Sequence, residues 1–155
     1  MIKTCSFFGH SQIVIDDELV NKIKDKVIEL IEVEGVAQFY FGGFGDFDEL
    51  CNQIVAELQN TYPHIKRFYC VHNEDWILRP HKRPKYLRTE DYDNYIYLPL
   101  QFDYWYTRIY YRNCAMIDAS DVVVFYVNHS GNSGAYKALQ YAIKNKKPLC
   151  NFGVL

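Results

Sequence analysis

A chain of 155 residues, 49% hydrophobic and 23% charged, is too apolar for disorder and has the length of one ordinary domain, able to bury about two-thirds of its unfolded surface. A net charge of −2 supplies no basic field of the kind nucleic acid requires, so nucleic acid is not an expected partner. The longest apolar runs fall well short of the ~20 residues that cross a bilayer, so no membrane is expected either.

Residues 2–8 read as a strand that stops at Gly9-His10. From Asp16 to about Glu34, Leu19, Ile23, Val27, Leu30 and Ile31 recur at helical spacing, with acids in the first turn and Gly35 as C-cap. Residues 36–41 form a second strand, broken by Gly42-Gly43-Phe44-Gly45. A helix then starts near Asp46, buries Phe47, Leu50, Cys51, Ile54 and Leu58, and ends before Tyr62-Pro63. Residues 65–71 make a third strand.

Residues 72–103 are irregular, with the basic run Arg79-Pro80-His81-Lys82-Arg83-Pro84-Lys85 followed by Tyr92, Tyr95 and Tyr97. A loop of this length in a small domain is a functional lid or a linker, and its aromatic content favours partial order. A helix is expected from about Tyr104 to Ala119, with Trp105, Ile109, Met116 and Ile117 inward. The nearly unbroken apolar run 121–127 suits a central parallel strand covered on both faces. Asn128 to Gly134 form a loop, Ala135, Ala138, Leu139 and Ala142 face the core from the last helix, and Pro148 to Phe152 is the last strand. The alternation predicts one α/β domain over residues 1–155. Its expected form is Rossmann-like and doubly wound, a mainly parallel five-stranded sheet with helices on both faces and a lid-like insertion at about 72–103.

The cysteines Cys5, Cys51, Cys70, Cys114 and Cys150 are scattered, with no Cys-x-x-Cys or Cys/His cluster, so neither a metal site nor a disulfide framework is indicated. Free thiols imply a reducing compartment, and Met1 to Cys5 run directly into a strand with no signal-peptide stretch. The cytoplasm is the expected location.

In open sheets of this kind ligands bind beyond the carboxyl ends of the strands. Three strand-to-helix loops should meet there: Ser6 to Ser11, Gly42 to Asp46, and Asn128 to Gly134. Glycine lets backbone approach a ligand, and a helix N-terminus offers free N–H groups to a phosphate. The candidate binding residues are therefore Gly9, His10, Gly42, Gly43, Gly45, Asp46, Ser130, Gly131, Ser133 and Gly134. Neither a Walker A loop nor a clean Gly-x-Gly-x-x-Gly fingerprint is present.

Three segments carry a family resemblance: Thr4 to His10, Tyr40 to Asp48, and Arg112 to Asp121 running into Ser130 to Ala135. Together they resemble the SLOG superfamily, the Rossmann-like group that contains the LOG phosphoribohydrolases and DprA-like domains. The resemblance implies binding of a nucleotide, nucleotide sugar or related second messenger, with Arg112 at the position of the family's catalytic Arg. It also implies self-association, because the family dimerises. The family's Pro-Gly-Gly-x-Gly-Thr-x-x-Glu motif is altered here, and its acidic position holds Lys137 or Ala138. Ser11 stands where small relatives often carry an Arg.

Several residues keep two readings. His10 is either a loop histidine bonded to backbone or a ligand contact. Asp46 and Asp48 are helix-start acids, or accept a ribose hydroxyl, Asp46 ahead of Asp48. Arg112 pairs with Asp118 or Asp121, or forks onto an anion in the cleft. Ser130 and Ser133 cap a helix, bind phosphate, or both. The basic run is a solvated face or a lid over an anionic, ring-bearing ligand.

The expected function is binding or sensing of a nucleotide-like small molecule without a further cofactor. The alternative is cleavage of an N-glycosidic bond, with Glu49, Asp46 or Asp48 as acid and Arg112 assisting. A third reading is a protein-interaction domain with a vestigial cleft.

Overall fold

The computed structural model describes residues 1–99 and 104–155. Its strands are β1 (Lys3–Gly9), β2 (Val36–Phe41), β3 (Lys66–Cys70), β4 (Asn94–Ile96), β5 (Val122–Tyr126) and β6 (Leu149–Asn151). Its helices are α1 (Asp17–Glu32), α2 (Asp46–Leu58), the short α3 (Asp75–Leu78), α4 (Arg108–Asp118) and α5 (Gly134–Lys144). The strands form one sheet in the order β4-β3-β2-β1-β5-β6, and its pairings are parallel throughout.

Alternation along β1 divides the core into two layers. Cys5 and Phe7 pack with Ile23 and Val27 of α1 and Phe47 and Leu50 of α2. Phe8, on the opposite face, packs with Met116 and Ile117 of α4 and Ala135 and Ala138 of α5. The five apolar residues read as the inner stripe of α1 are all buried. The helix starts where Asp16 accepts the N–H of Leu19 at 2.8 Å. The chain winds outward from β1 through β2 and β3 to β4, then returns to β5 on the other side of β1. The direction of winding thus reverses between β1 and β5, and there the loops part.

The structure corrects three expectations. The sheet has six strands rather than five, because β4 lies inside the segment read as irregular. It is three residues long with two of them exposed, too short to carry a periodic signal, and it is defined by long-range pairing of Phe68 with Asn94 and Cys70 with Ile96. Ile109, expected inward, is 51% exposed, because α4 turns Arg112, Asn113 and Met116 to the interior instead. Helix α4 begins at Arg108 after a 3-10 turn at Trp105–Thr107. The expected packing of the Trp105 side chain lies outside the described residues. Strand β5 is covered on both faces as its apolar run requires, although the midpoint of the sheet falls between β1 and β2.

Residues 72–99 hold α3, two 3-10 turns and β4. They are tied down by backbone capture: Asp93 accepts the Arg67 N–H at 2.8 Å, and Asn52 donates to Asp91 O at 3.2 Å. Arg83, from the basic run, donates to Trp76 O (2.7 Å) and Thr89 Oγ1 (3.0 Å). Arg79 and Lys82 stand near Asp75, at 3.7 and 4.0 Å. Much of that basic charge is therefore engaged within the segment itself. All five cysteines are free thiols. Among the described residues no helix is long and apolar enough to cross a membrane.

Candidate ligand-binding site

A cavity of about 730 Å³ opens at the carboxyl ends of the strands, beside the β1/β5 reversal. That volume lies within the ~300–1,000 Å³ typical of small-molecule sites.

One end is built by the loops after β1 and β5. His10 donates its backbone N–H to Tyr126 O at 3.3 Å, which holds the side chain over the switch point. Its ring is nearly buried and stacks on His129 with centroids 3.8 Å apart and planes 5° from parallel. His10 Nε2 lies 3.1 Å from the Asn128 N–H, and Nδ1 lies 3.1 Å from Ser133 Oγ. Ser133 caps α5 by accepting the Tyr136 N–H at 3.3 Å. Burial, then the neighbouring His129, lowers the His10 pKa.

The other end is built around Arg112, which is only 5% exposed. Its Nη1 donates to Cys70 O (2.8 Å) and Gly42 O (3.3 Å) and lies 3.4 Å from His72 Nδ1, while Nε donates to Asn113 Oδ1 (3.0 Å). These partners are neutral. The two carboxylates considered as partners are engaged elsewhere: Asp118 accepts the Tyr141 hydroxyl at 2.8 Å and Asp121 accepts the Thr4 N–H at 2.8 Å. Gly42 makes room for the guanidinium, since a Cβ there would stand 2.9 Å from Nη2. Gly43 adopts φ +82°, which any other residue would hold only under strain.

Asp48, also nearly buried, binds this loop from below, accepting the Gly43 N–H at 2.7 Å and the Gly42 N–H at 3.3 Å. Burial pushes its carboxyl up to about 6, against the opposing pull of the loop N–H groups and Arg112. His72 is pushed down to about 4 by burial, then by Arg112 and Arg108. The Tyr69 hydroxyl is buried beside Arg112. Trp76 meets His72 edge-on at 4.6 Å, and Tyr86 meets Phe44 at 5.0 Å, so residues 72–99 bring aromatic rings to the rim.

Gly9, His10, Gly42, Gly43, Arg112, Ser133 and Gly134 line the cavity. Gly45, Asp46, Ser130 and Gly131 lie off its wall. Gly45 borders a smaller pocket of about 350 Å³ on the outer side of the same loop. Asp46 is spent internally, its carboxylate accepting the Ile13 N–H at 3.1 Å and its own N–H donating to Ser11 O at 2.9 Å. Ser130 and Gly131 are exposed. Glu49 is exposed too, accepting from Gln53 at 3.4 Å on the outer face of α2. Sequence reasoning did not single out Tyr69, His72, Trp76, Tyr86 or His129. His72 follows β3 much as His10 follows β1, so the same strand-end argument reaches it.

Fold and cavity together define a Rossmann-like domain with a cavity of small-molecule size at its switch point. No family model matches the chain, and no curated protein matches it. Solved structures do. The chain is similar to the structural-genomics target TM1055, at 17% identity and TM-score 0.54, over 96% of this chain and 72% of that one. It is also similar to the molybdenum cofactor carrier protein of Chlamydomonas reinhardtii, at 14% identity and TM-score 0.58, over 97% of this chain and 76% of that one. A second structure of that carrier gives 13% identity and TM-score 0.55, over 100% and 78%. At these identities the likeness is one of fold, a parallel α/β sheet of the expected Rossmann-like kind.

Proposed function

We propose that the protein binds a nucleotide or nucleotide-derived small molecule in this cavity and does not turn it over. The carrying observation is Arg112: a buried guanidinium on the cavity wall, anchored by neutral acceptors, beside the buried Tyr69 hydroxyl. A buried cation whose hydrogen bonds go to neutral groups, with the Asp48 carboxylate committed to the loop, is stabilised further by an anionic, acceptor-rich ligand. Aromatic edges at Trp76 and Tyr86 suit a ring, and the start of α5 suits a phosphate. Residues 72–99 then act as a lid that contributes rings rather than charge. One structural neighbour is named as a carrier of a cofactor, a role of the same class.

N-glycosidic cleavage draws on one observation, the Asp48 carboxyl on the cavity wall with its pKa raised to about 6. Both Asp48 oxygens are occupied by the Gly42 and Gly43 N–H groups, and Glu49 faces solvent. We therefore expect no release of base when nucleoside monophosphates are incubated with the protein and resolved by chromatography. Release that disappears in Asp48→Asn would replace binding with catalysis. The five free thiols fit the cytoplasm, and exposed Ile109, Tyr110 and Tyr111 on α4 offer a face for self-association.

The binding reading is tested by mass spectrometry of small molecules released from the purified, denatured protein. A phosphate-bearing heteroaromatic compound is the expected find. A lipid or an uncharged apolar molecule released in stoichiometric amount would contradict it.

A further inference from the structure

Ser133 Oγ and His10 Nδ1 are 3.1 Å apart, the separation of a serine nucleophile and its base. The other ring nitrogen decides against that chemistry. Nε2 accepts the Asn128 backbone N–H, so it presents a lone pair and carries no proton. Burial and His129 hold the ring neutral at neutral pH. The single proton of a neutral imidazole must then sit on Nδ1, and Nδ1–H donates to Ser133 Oγ. The Tyr136 N–H donates to the same oxygen. With both acceptor positions of Ser133 filled, its own proton is left to donate, on a residue that lines the cavity. A catalytic triad has the reverse polarity: its outer imidazole nitrogen donates to a carboxylate, whereas here that nitrogen accepts from an amide.

We infer that His10 is a positioning residue that locks Ser133 as a hydrogen-bond donor, so that this end of the cavity takes an oxyanion bearing no proton of its own. This rests on the nucleotide-type reading of the cavity and names the chemistry of the anion it selects: a phosphodiester or a fully ionised phosphate, in preference to a protonated monoester. Lining this end with Ser133 are Gly134 and Ala135 of the first turn of α5, whose N–H groups are also donors. Among the described lining residues the carboxylate is Asp48, which is committed to the Gly42–Gly43 loop. A P–O–H group would therefore meet donors at Ser133 and the first turn of α5 and no uncommitted carboxylate among the described lining residues, and a mismatched donor in a buried site costs affinity. The titratable groups around His10 are His129, stacked on its ring, and Asp46 on the α2 side, bound to the Ile13 N–H. Arg112, His72 and Asp48 line the same cavity.

Two measurements test this. Long-range ¹⁵N–¹H correlation spectra of the unliganded protein near neutral pH, assigned with His10→Asn, report the tautomer without any ligand. The Nδ1–H form is expected, and an Nε2–H form of His10 overturns the inference whatever the cavity binds. Calorimetry with nucleoside 5′-monophosphates and their methyl phosphodiesters reads the consequence. As pH falls below the phosphate's second pKa near 6, the monoester should lose about tenfold in affinity per unit while the diester holds. Ser133→Ala should weaken both, and His10→Asn, whose amide N–H can still reach Ser133, should retain more affinity than His10→Leu. Equal pH dependence for monoester and diester overturns the selectivity. An Nδ1–H tautomer with neither ligand bound overturns the nucleotide reading while the donor assignment of Ser133 stands.

Discussion

Asp48 and His72 share the cavity wall with Arg112, and burial acts on them in opposite senses. The Asp48 carboxyl is raised to about 6, so between its unfolded pKa and that value the folded protein holds a proton the unfolded chain has lost. Its contribution to stability therefore falls as pH rises through this window. His72 is lowered to about 4, so between that value and its unfolded pKa the unfolded chain holds the extra proton. Its contribution is present above the unfolded pKa and is lost as pH falls toward 4. The two slopes oppose each other over about pH 4 to 6, which predicts a shallow wild-type profile there. Urea denaturation should show Asp48→Asn losing stability more steeply than wild type on acidification, and His72→Phe gaining it. Parallel profiles for all three proteins would show that the two groups are not buried together as described.

Between elements, α2 packs tightly on the end of β1. A Cβ added at Gly9 would stand 2.5 Å from Phe47, which is fully buried in the first turn of α2 and has nowhere to move. Gly9→Ala should cost on the order of 1–3 kcal/mol, seen as a fall in Tm of several degrees. An unchanged Tm would mean that α2 sits further from the strand. The elements built on a long apolar stripe were legible in the sequence. Leu19, Ile23, Val27, Leu30 and Ile31 mark α1 because burial of one helical face requires that spacing. The edge strand β4 was not legible, since three residues paired to a strand more than twenty positions away leave no local pattern. Ile109 misled for a related reason: helical spacing gives a stripe, but not the rotation that turns Arg112 inward in its place.

In the whole molecule, the order β4-β3-β2-β1-β5-β6 brings the ends of β1, β2, β3 and β5 to one cavity, and that placement followed from the alternation of strands and helices. The partners within the site did not. Arg112 entered through the resemblance, and its acceptors lie 42 and 70 residues away along the chain, at Cys70 and Gly42. No spacing rule reaches contacts of that separation, just as none showed that Asp46 would be spent on the Ile13 amide. The proposed contact of Arg112 with an anionic ligand in this cavity is tested by a calorimetric titration of wild type and Arg112→Ala. The ligand panel is nucleotide mono- and diphosphates, ADP-ribose and cyclic dinucleotides. Circular dichroism first confirms that the variant is folded. One site per chain is expected for at least one of these ligands, with affinity reduced about tenfold to over a hundredfold in Arg112→Ala, the worth of a charge-assisted hydrogen bond. Affinity unchanged in Arg112→Ala, or no binding by any member of the panel, would contradict it.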